Sequence, residues 1–160
     1  MIERGNKPKI KQTYRILALD VATHCGWAVN TCDAFGVWDL SPKRDESAGM
    51  RLIRFRAKLN EVITDESINL VVFERPGGFH KGAMIVQSEL QSVVKVICED
   101  KEIPYRAYSS QEIKKFATGK GNANKEKMIA AASQKLGYKG DNDNEADALW
   151  LLQLAKSEYK

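Results

Sequence analysis

Four acidic residues sit where a folding chain pays heavily for a charge that has no use. Asp20 ends the apolar run Ile16-Leu-Ala-Leu19, and Glu74 ends Leu70-Val-Val-Phe73. Runs that are apolar at every position read as strands covered on both faces. A carboxylate extending such a run needs a cation, a basic partner or a proton. Arg75 is a poor partner for Glu74, because neighbouring strand residues point to opposite faces. Asp143 and Asp147 lie four apart at the start of a helical segment and share a face. Asp143 alone would suit a helix cap or a dipole contact. Asp147 lies deeper, between Ala146 and Ala148, on a segment that must pack closely. The competing reading is of unrelated structural acids. Oxygen donors without His or Cys suit Mg²⁺ or Mn²⁺ rather than zinc. Two such ions about 4 Å apart can activate a water and stabilise a leaving oxygen in phosphodiester hydrolysis.

The surrounding pattern predicts the elements that carry these acids. Strands over about 14–21, 26–30 and 35–39 are separated by short turns, which makes an antiparallel meander. A helix over roughly 47–63 follows, with Leu52, Phe55, Leu59 and Val62 as its apolar stripe. The strand from Asn69 is stopped by Pro76, and a glycine-rich connection leads to a second helix. Its expected buried stripe is Ala83, Val86, Leu90, Val93 and Ile97. A short strand at 103–108 comes next, then a brief helix through Phe116 capped by Ser109 with Glu112. A further helix stops near Gly137, and the last one is capped by Asn142 with Glu145. This order predicts an α/β fold: a mixed sheet with helices on both faces.

Length and composition set the outer limits. A chain of 160 residues suits one domain, here 14–160 after a flexible basic tail over 1–13. No apolar run reaches membrane-spanning length, and the N-terminus lacks a signal-peptide core, so a cytoplasmic protein with no membrane partner is expected. Cys25, Cys32 and Cys98 are scattered and predict buried free thiols. The net charge is only +4, but basic residues cluster. Arg51, Arg54, Arg56 and Lys58 form one group; Lys114, Lys115, Lys120, Lys125 and Lys127 form another. Such clusters suit a polyanion, although on charge alone a solvated helix face is the commoner explanation.

Four stretches carry a family resemblance. They are Ile16-Leu-Ala-Leu-Asp-Val-Ala-Thr-His-Cys-Gly-Trp-Ala-Val29; Val71-Val-Phe-Glu-Arg-Pro76 with Phe79-His-Lys-Gly82; Ile113-Lys-Lys-Phe-Ala-Thr-Gly-Lys-Gly-Asn-Ala-Asn-Lys125; and Asp143-Asn-Glu-Ala-Asp-Ala-Leu149. In this order the chain resembles the RuvC-type Holliday-junction resolvases, in particular their short phage-encoded branch. The resemblance implies an RNase H-like fold with a mixed five-stranded sheet, three antiparallel strands followed by parallel additions. It implies a homodimer that cleaves branched DNA, in the host cytoplasm if phage-encoded, with Mg²⁺ or Mn²⁺, two ions per site. By position, Asp20, Glu74 and Asp147 become metal-binding catalytic acids. Bacterial members place another ligand three residues before the last aspartate, where this chain has Asn144. Asp143, one residue earlier on the same face, carries the charge and is taken as the fourth ligand.

Lys114 and Lys125 match lysines that lie near the scissile phosphate in that family. Phe79 is positioned to stack on an unpaired base or, equally well, to pack in the core. Lys81 and His80 are placed for phosphate contact. Lys115, Lys120, Arg51, Arg54 and Lys58 would follow the DNA arms, making binding steeply salt-dependent. Three alternatives use the same residues differently. A looser nuclease would cut flaps and forks. A non-catalytic protein would bind junctions without cleaving them. An ATPase of the actin and sugar-kinase group resembles the turn Asp20-Val-Ala-Thr23 but needs a second lobe.

Overall fold

The structure is a computed structural model that describes residues 12–77 and 80–160; most of the expected N-terminal tail lies outside them. Its elements are β1 (Ile16–Asp20), β2 (His24–Val29), β3 (Phe35–Asp39), α1 (Gly49–Asp65), β4 (Leu70–Glu74), α2 (Lys81–Asp100), β5 (Tyr105–Tyr108), α3 (Ser110–Thr118), α4 (Lys125–Leu136) and α5 (Asp143–Glu158). The five strands form one sheet in the order β3-β2-β1-β4-β5. β2 runs antiparallel to both β1 and β3, while β4 and β5 are added parallel to β1. That is the mixed sheet anticipated from the sequence.

Alternation along the central strands divides the core in two. Leu17 and Leu19 of β1 and Val71 and Phe73 of β4 face α1 and α2, packing with Phe55, Leu59, Leu90 and Val94. Ile16 and Ala18, with Leu70 and Val72, face α5 and its neighbours α3 and α4. Small side chains at Ala18, Ala28, Ala146 and Ala148, all fully buried, let α5 lie close against β1 and β2. Each large aliphatic side chain buried in these layers contributes about 1.5–3 kcal/mol. The same parity carries Asp20 and Glu74 to the α5 face, the next even positions after Ala18 and Val72.

Several sequence expectations need correction. The buried line of α2 is Leu90, Val94 and Ile97 with Gln91 and Cys98; Val86 and Val93 are half-buried and Ala83 is exposed. The first turns of α2 have little to pack on, and Met84 and Ile85 stay exposed there. On α1 the stripe closes with Ile63 rather than Val62. β2 begins at His24, two residues ahead of the strand start expected at Gly26. Cys25 and Cys98 are buried free thiols as expected, but Cys32 is exposed.

Candidate active site

β1, β4 and β5 are parallel, so their C-terminal ends share one edge of the sheet. Leu19 pairs with Phe73, which brings the following residues, Asp20 and Glu74, side by side at that edge. The N-terminus of α5 reaches the same place because β2 lets it in. Asp20 pairs with Gly26 across the β1–β2 ladder, and a Cβ at Gly26 would overlap the carbonyl oxygen of Asn144. A glycine inside a strand often marks such a close backbone approach. Asn142 caps α5 by accepting from the Glu145 N–H, so the helix begins at Asp143, beside Asp20.

Electrostatics shows which acids meet. Burial holds the Asp20 carboxyl well above the usual carboxylate range; Asp147, Glu74 and Asp143 push it further, and Lys125 pulls the other way. Asp147 is raised to about 7, by burial first and then by Glu74 and Asp143, against Lys114 and Lys125. Burial raises Glu74, while a hydrogen bond from Ser110 and the Lys114 ammonium hold it down. Four carboxylates from β1, β4 and α5 therefore occupy one electrostatic neighbourhood. All four are half-buried.

Two lysines offset part of this charge. The Lys125 Nζ at the start of α4 lies 3.0 Å from Asp143 Oδ2, and the pairing raises the lysine above its ordinary value. Its side chain remains 76% exposed, which leaves it open to a ligand from solvent. Lys114, half-buried on α3, acts on Glu74 and Asp147. The capping box of Ser109 and Glu112 fixes the start of that helix.

Among the described residues, no three Asp, Glu, His or Cys side chains close to metal-ligand geometry. Charge gives the physical reason. Lys125 draws the Asp143 carboxylate to itself, and Ser110 donates to Glu74. The donor set itself fits a hard divalent cation: oxygen ligands only, with four carboxylates against two ammonium groups.

The other sequence candidates fall around this centre in different ways. Lys81, Lys115 and Lys120 are exposed on α2, α3 and the loop after it, as is His80 at the start of α2. Lys58 is exposed on α1, on the opposite face of the sheet from the acids. Arg54 is engaged within the fold, ion-paired with Glu46 and donating to the Ser41 carbonyl. Arg51 is half-buried, and its Nε is buried with no hydrogen-bond partner. Phe79 lies outside the described residues.

Local sequence reading missed Gln91, the one buried polar residue among those described. Its amide donates to the Glu74 carbonyl at 2.8 Å, while the Arg75 N–H donates to Tyr108 O at 2.8 Å. Together they pin the end of β4 that carries Glu74. A glutamine in the apolar line of α2, beside Leu90 and Val94, was the available signal. Beside the acids, a groove of about 360 Å³ is lined by Thr23, His24, Gln87 and Asn144 among others.

No protein-family model matches the chain. Solved structures do. T. thermophilus RuvC in complex with a Holliday junction substrate aligns at a TM-score of 0.69, covering 87% of this chain and 90% of that one at 21% identity. A separate T. thermophilus RuvC structure gives 0.71 over 90% and 96%, also at 21% identity. The yeast mitochondrial Holliday junction resolvase Ydc2 gives 0.57 over 90% and 78%, at 13% identity. What these likenesses establish is architecture: this chain has the RuvC-like, RNase H-like fold.

Proposed function

We propose that this chain is a divalent-metal-dependent endonuclease that resolves four-way DNA junctions, acting as a homodimer that nicks two opposed strands. The observation carrying the proposal is the convergence of Asp20, Glu74, Asp143 and Asp147 at one edge of the sheet, where Glu74 and Asp143 press on the ionisation of both Asp20 and Asp147. The fold is shared with a RuvC solved together with a Holliday junction substrate. Asp20, Glu74, Asp143 and Asp147 would hold Mg²⁺ or Mn²⁺. When bound, two such ions supply an activated water and neutralise the leaving oxygen.

The remaining work falls to residues of the chain. Asp143 pairs with Lys125 through Oδ2, and turning that carboxylate toward a cation would free the ammonium for the scissile phosphate. Lys114, already beside Glu74 and Asp147, offsets charge that grows on the phosphate oxygens in the transition state. Lys81, Lys115 and Lys120, with Lys58 and Arg51 more remote, supply phosphate contacts along the arms. Phe79 is retained as a candidate base-stacking residue at the branch point.

The test incubates the full chain with a labelled synthetic four-way junction, a fork and a linear duplex, with Mg²⁺ and with EDTA. The proposal requires metal-dependent, paired cleavage of the junction in preference to the duplex. Asp20→Asn should bind the junction and leave it intact. Equal cutting of fork and junction would reassign the protein as a broader branched-DNA nuclease. Binding without cleavage at any Mg²⁺ or Mn²⁺ concentration would overturn the enzymatic reading.

A further inference from the structure

The start of α5 is fastened by a phenol from the connection that precedes it. Tyr138 is 5% exposed and follows Gly137, whose left-handed backbone ends α4. Its hydroxyl accepts the Asn142 N–H at 3.1 Å and donates to Glu145 Oε2 at 2.7 Å; the Asn142 carbonyl lies 3.2 Å away. Asn142 Oδ1 in turn accepts the Glu145 N–H at 3.1 Å. One oxygen thus ties the residue before α5 to the third residue within it.

Two further features hold that oxygen in place. The Tyr138 ring packs edge-on against Phe35 of β3, with centroids 5.8 Å apart. Gly140 passes so close that a Cβ there would overlap the hydroxyl and its ring carbon. The glycine is therefore required for the phenol to reach the helix start. Glu145 does not close a reciprocal capping box with Asn142; its carboxylate is taken by Tyr138 instead.

The residues bracketed by this network matter to the acid cluster. Asp143 sits between Asn142 and Glu145, and Asp147 lies one turn further along the same face. We propose that Tyr138, seated by Gly140, is a positioning residue for the metal-holding acids: it fixes the axial position of the first turn of α5, and so places Asp143 and Asp147 opposite Asp20. This rests on the metal-site reading given above. Residues that orient metal ligands from behind typically change affinity or activity by about 10-fold to 100-fold when removed.

The experiment compares the full-length wild-type chain with Tyr138→Phe, Gly140→Ala and Leu59→Ala. Leu59 is a buried residue of α1 on the opposite side of the sheet and serves as a destabilised control. Two quantities are measured: the rise in unfolding midpoint on adding Mn²⁺, and the Mg²⁺ concentration for half-maximal junction cleavage. Tyr138→Phe should need about 10-fold more Mg²⁺ and lose most of the Mn²⁺-induced rise, with near-normal cleavage at saturating metal. Gly140→Ala should move both readings in the same direction. Leu59→Ala should melt lower with and without metal while keeping the wild-type Mg²⁺ requirement. A wild-type metal response shared by Tyr138→Phe and Gly140→Ala would overturn the positioning role alone. A wild-type chain with neither metal-induced rise nor cleavage would overturn the metal site itself, and the positioning role with it.

Discussion

Replacing Asp147 by asparagine should make the metal-free protein more stable while abolishing its cleavage activity. In the folded chain the Asp147 carboxyl is raised from 3.8 to about 7, chiefly by burial and then by Glu74 and Asp143. Because the folded value is the higher one, the native state holds a proton that the unfolded chain has already released. Below about pH 4 both states are protonated and there is no penalty. As pH climbs from about 4 to 7 stability falls, and above 7 the full cost of an ionised, crowded carboxylate is present. A shift of about three units corresponds to about 4 kcal/mol. The attraction of Lys114 and Lys125 is already contained in that shift; a half-buried asparagine amide with incomplete hydrogen bonding offsets part of the gain. A net gain of about 1–3 kcal/mol is expected at pH 8, or a rise of roughly 5 °C in unfolding midpoint for a chain of this length. The assay is thermal unfolding in EDTA at pH 8 and at pH 4.5, with the difference shrinking towards the acid side. If Asp147→Asn melts below the wild-type chain at pH 8 without metal, the idea of mutually repelling acids is wrong.

Other consequences follow from the same geometry. At limiting Mg²⁺ the cleavage rate should increase with pH through the neutral range, because raised Asp147 and Asp20 must lose protons to bind a cation; saturating Mg²⁺ should move the midpoint lower. A rate independent of pH at limiting metal would count against those carboxyls as ligands. Gly26→Ala forces a methyl group into the Asn144 carbonyl, so it should cost about 3 kcal/mol in denaturant unfolding and remove cleavage by pushing α5 off β2. Unchanged activity would show that α5 tolerates the displacement. Lys114→Met should lower the single-turnover cleavage rate by about 100-fold while junction affinity stays within a fewfold of wild type. A loss confined to affinity would make Lys114 a binding contact only.

Much of the scaffold is readable along the chain because the signals are local. The apolar runs before Asp20 and Glu74, the Ser109–Glu112 box and the Gly137 stop each act within a few residues, and the elements formed where those signals stood. That two carboxylates end adjacent parallel strands follows from counting parity once β1 and β4 are paired. What escaped sequence reading depends on contacts between distant segments. Gln91 looks like a flaw in an apolar stripe until its amide is seen on the Glu74 carbonyl. Tyr138 looks like ordinary core until Asn142 and Glu145 converge on its hydroxyl. Arg54 reads as a free basic residue, yet Glu46 and Ser41 occupy it. The stripe of α2 is displaced at Ala83 because periodicity cannot tell where the sheet beneath a helix ends.

The most direct measurement is a crystal of the protein grown or soaked with Mn²⁺ and examined for anomalous density. One or two ions are expected at the shared edge of the sheet, ligated by Asp20, Glu74 and Asp147 with Asp143 turned away from Lys125. Well-ordered Mn²⁺ bound elsewhere, or an acid cluster that stays empty at millimolar Mn²⁺ with Asp143 still on Lys125, would contradict the assignment.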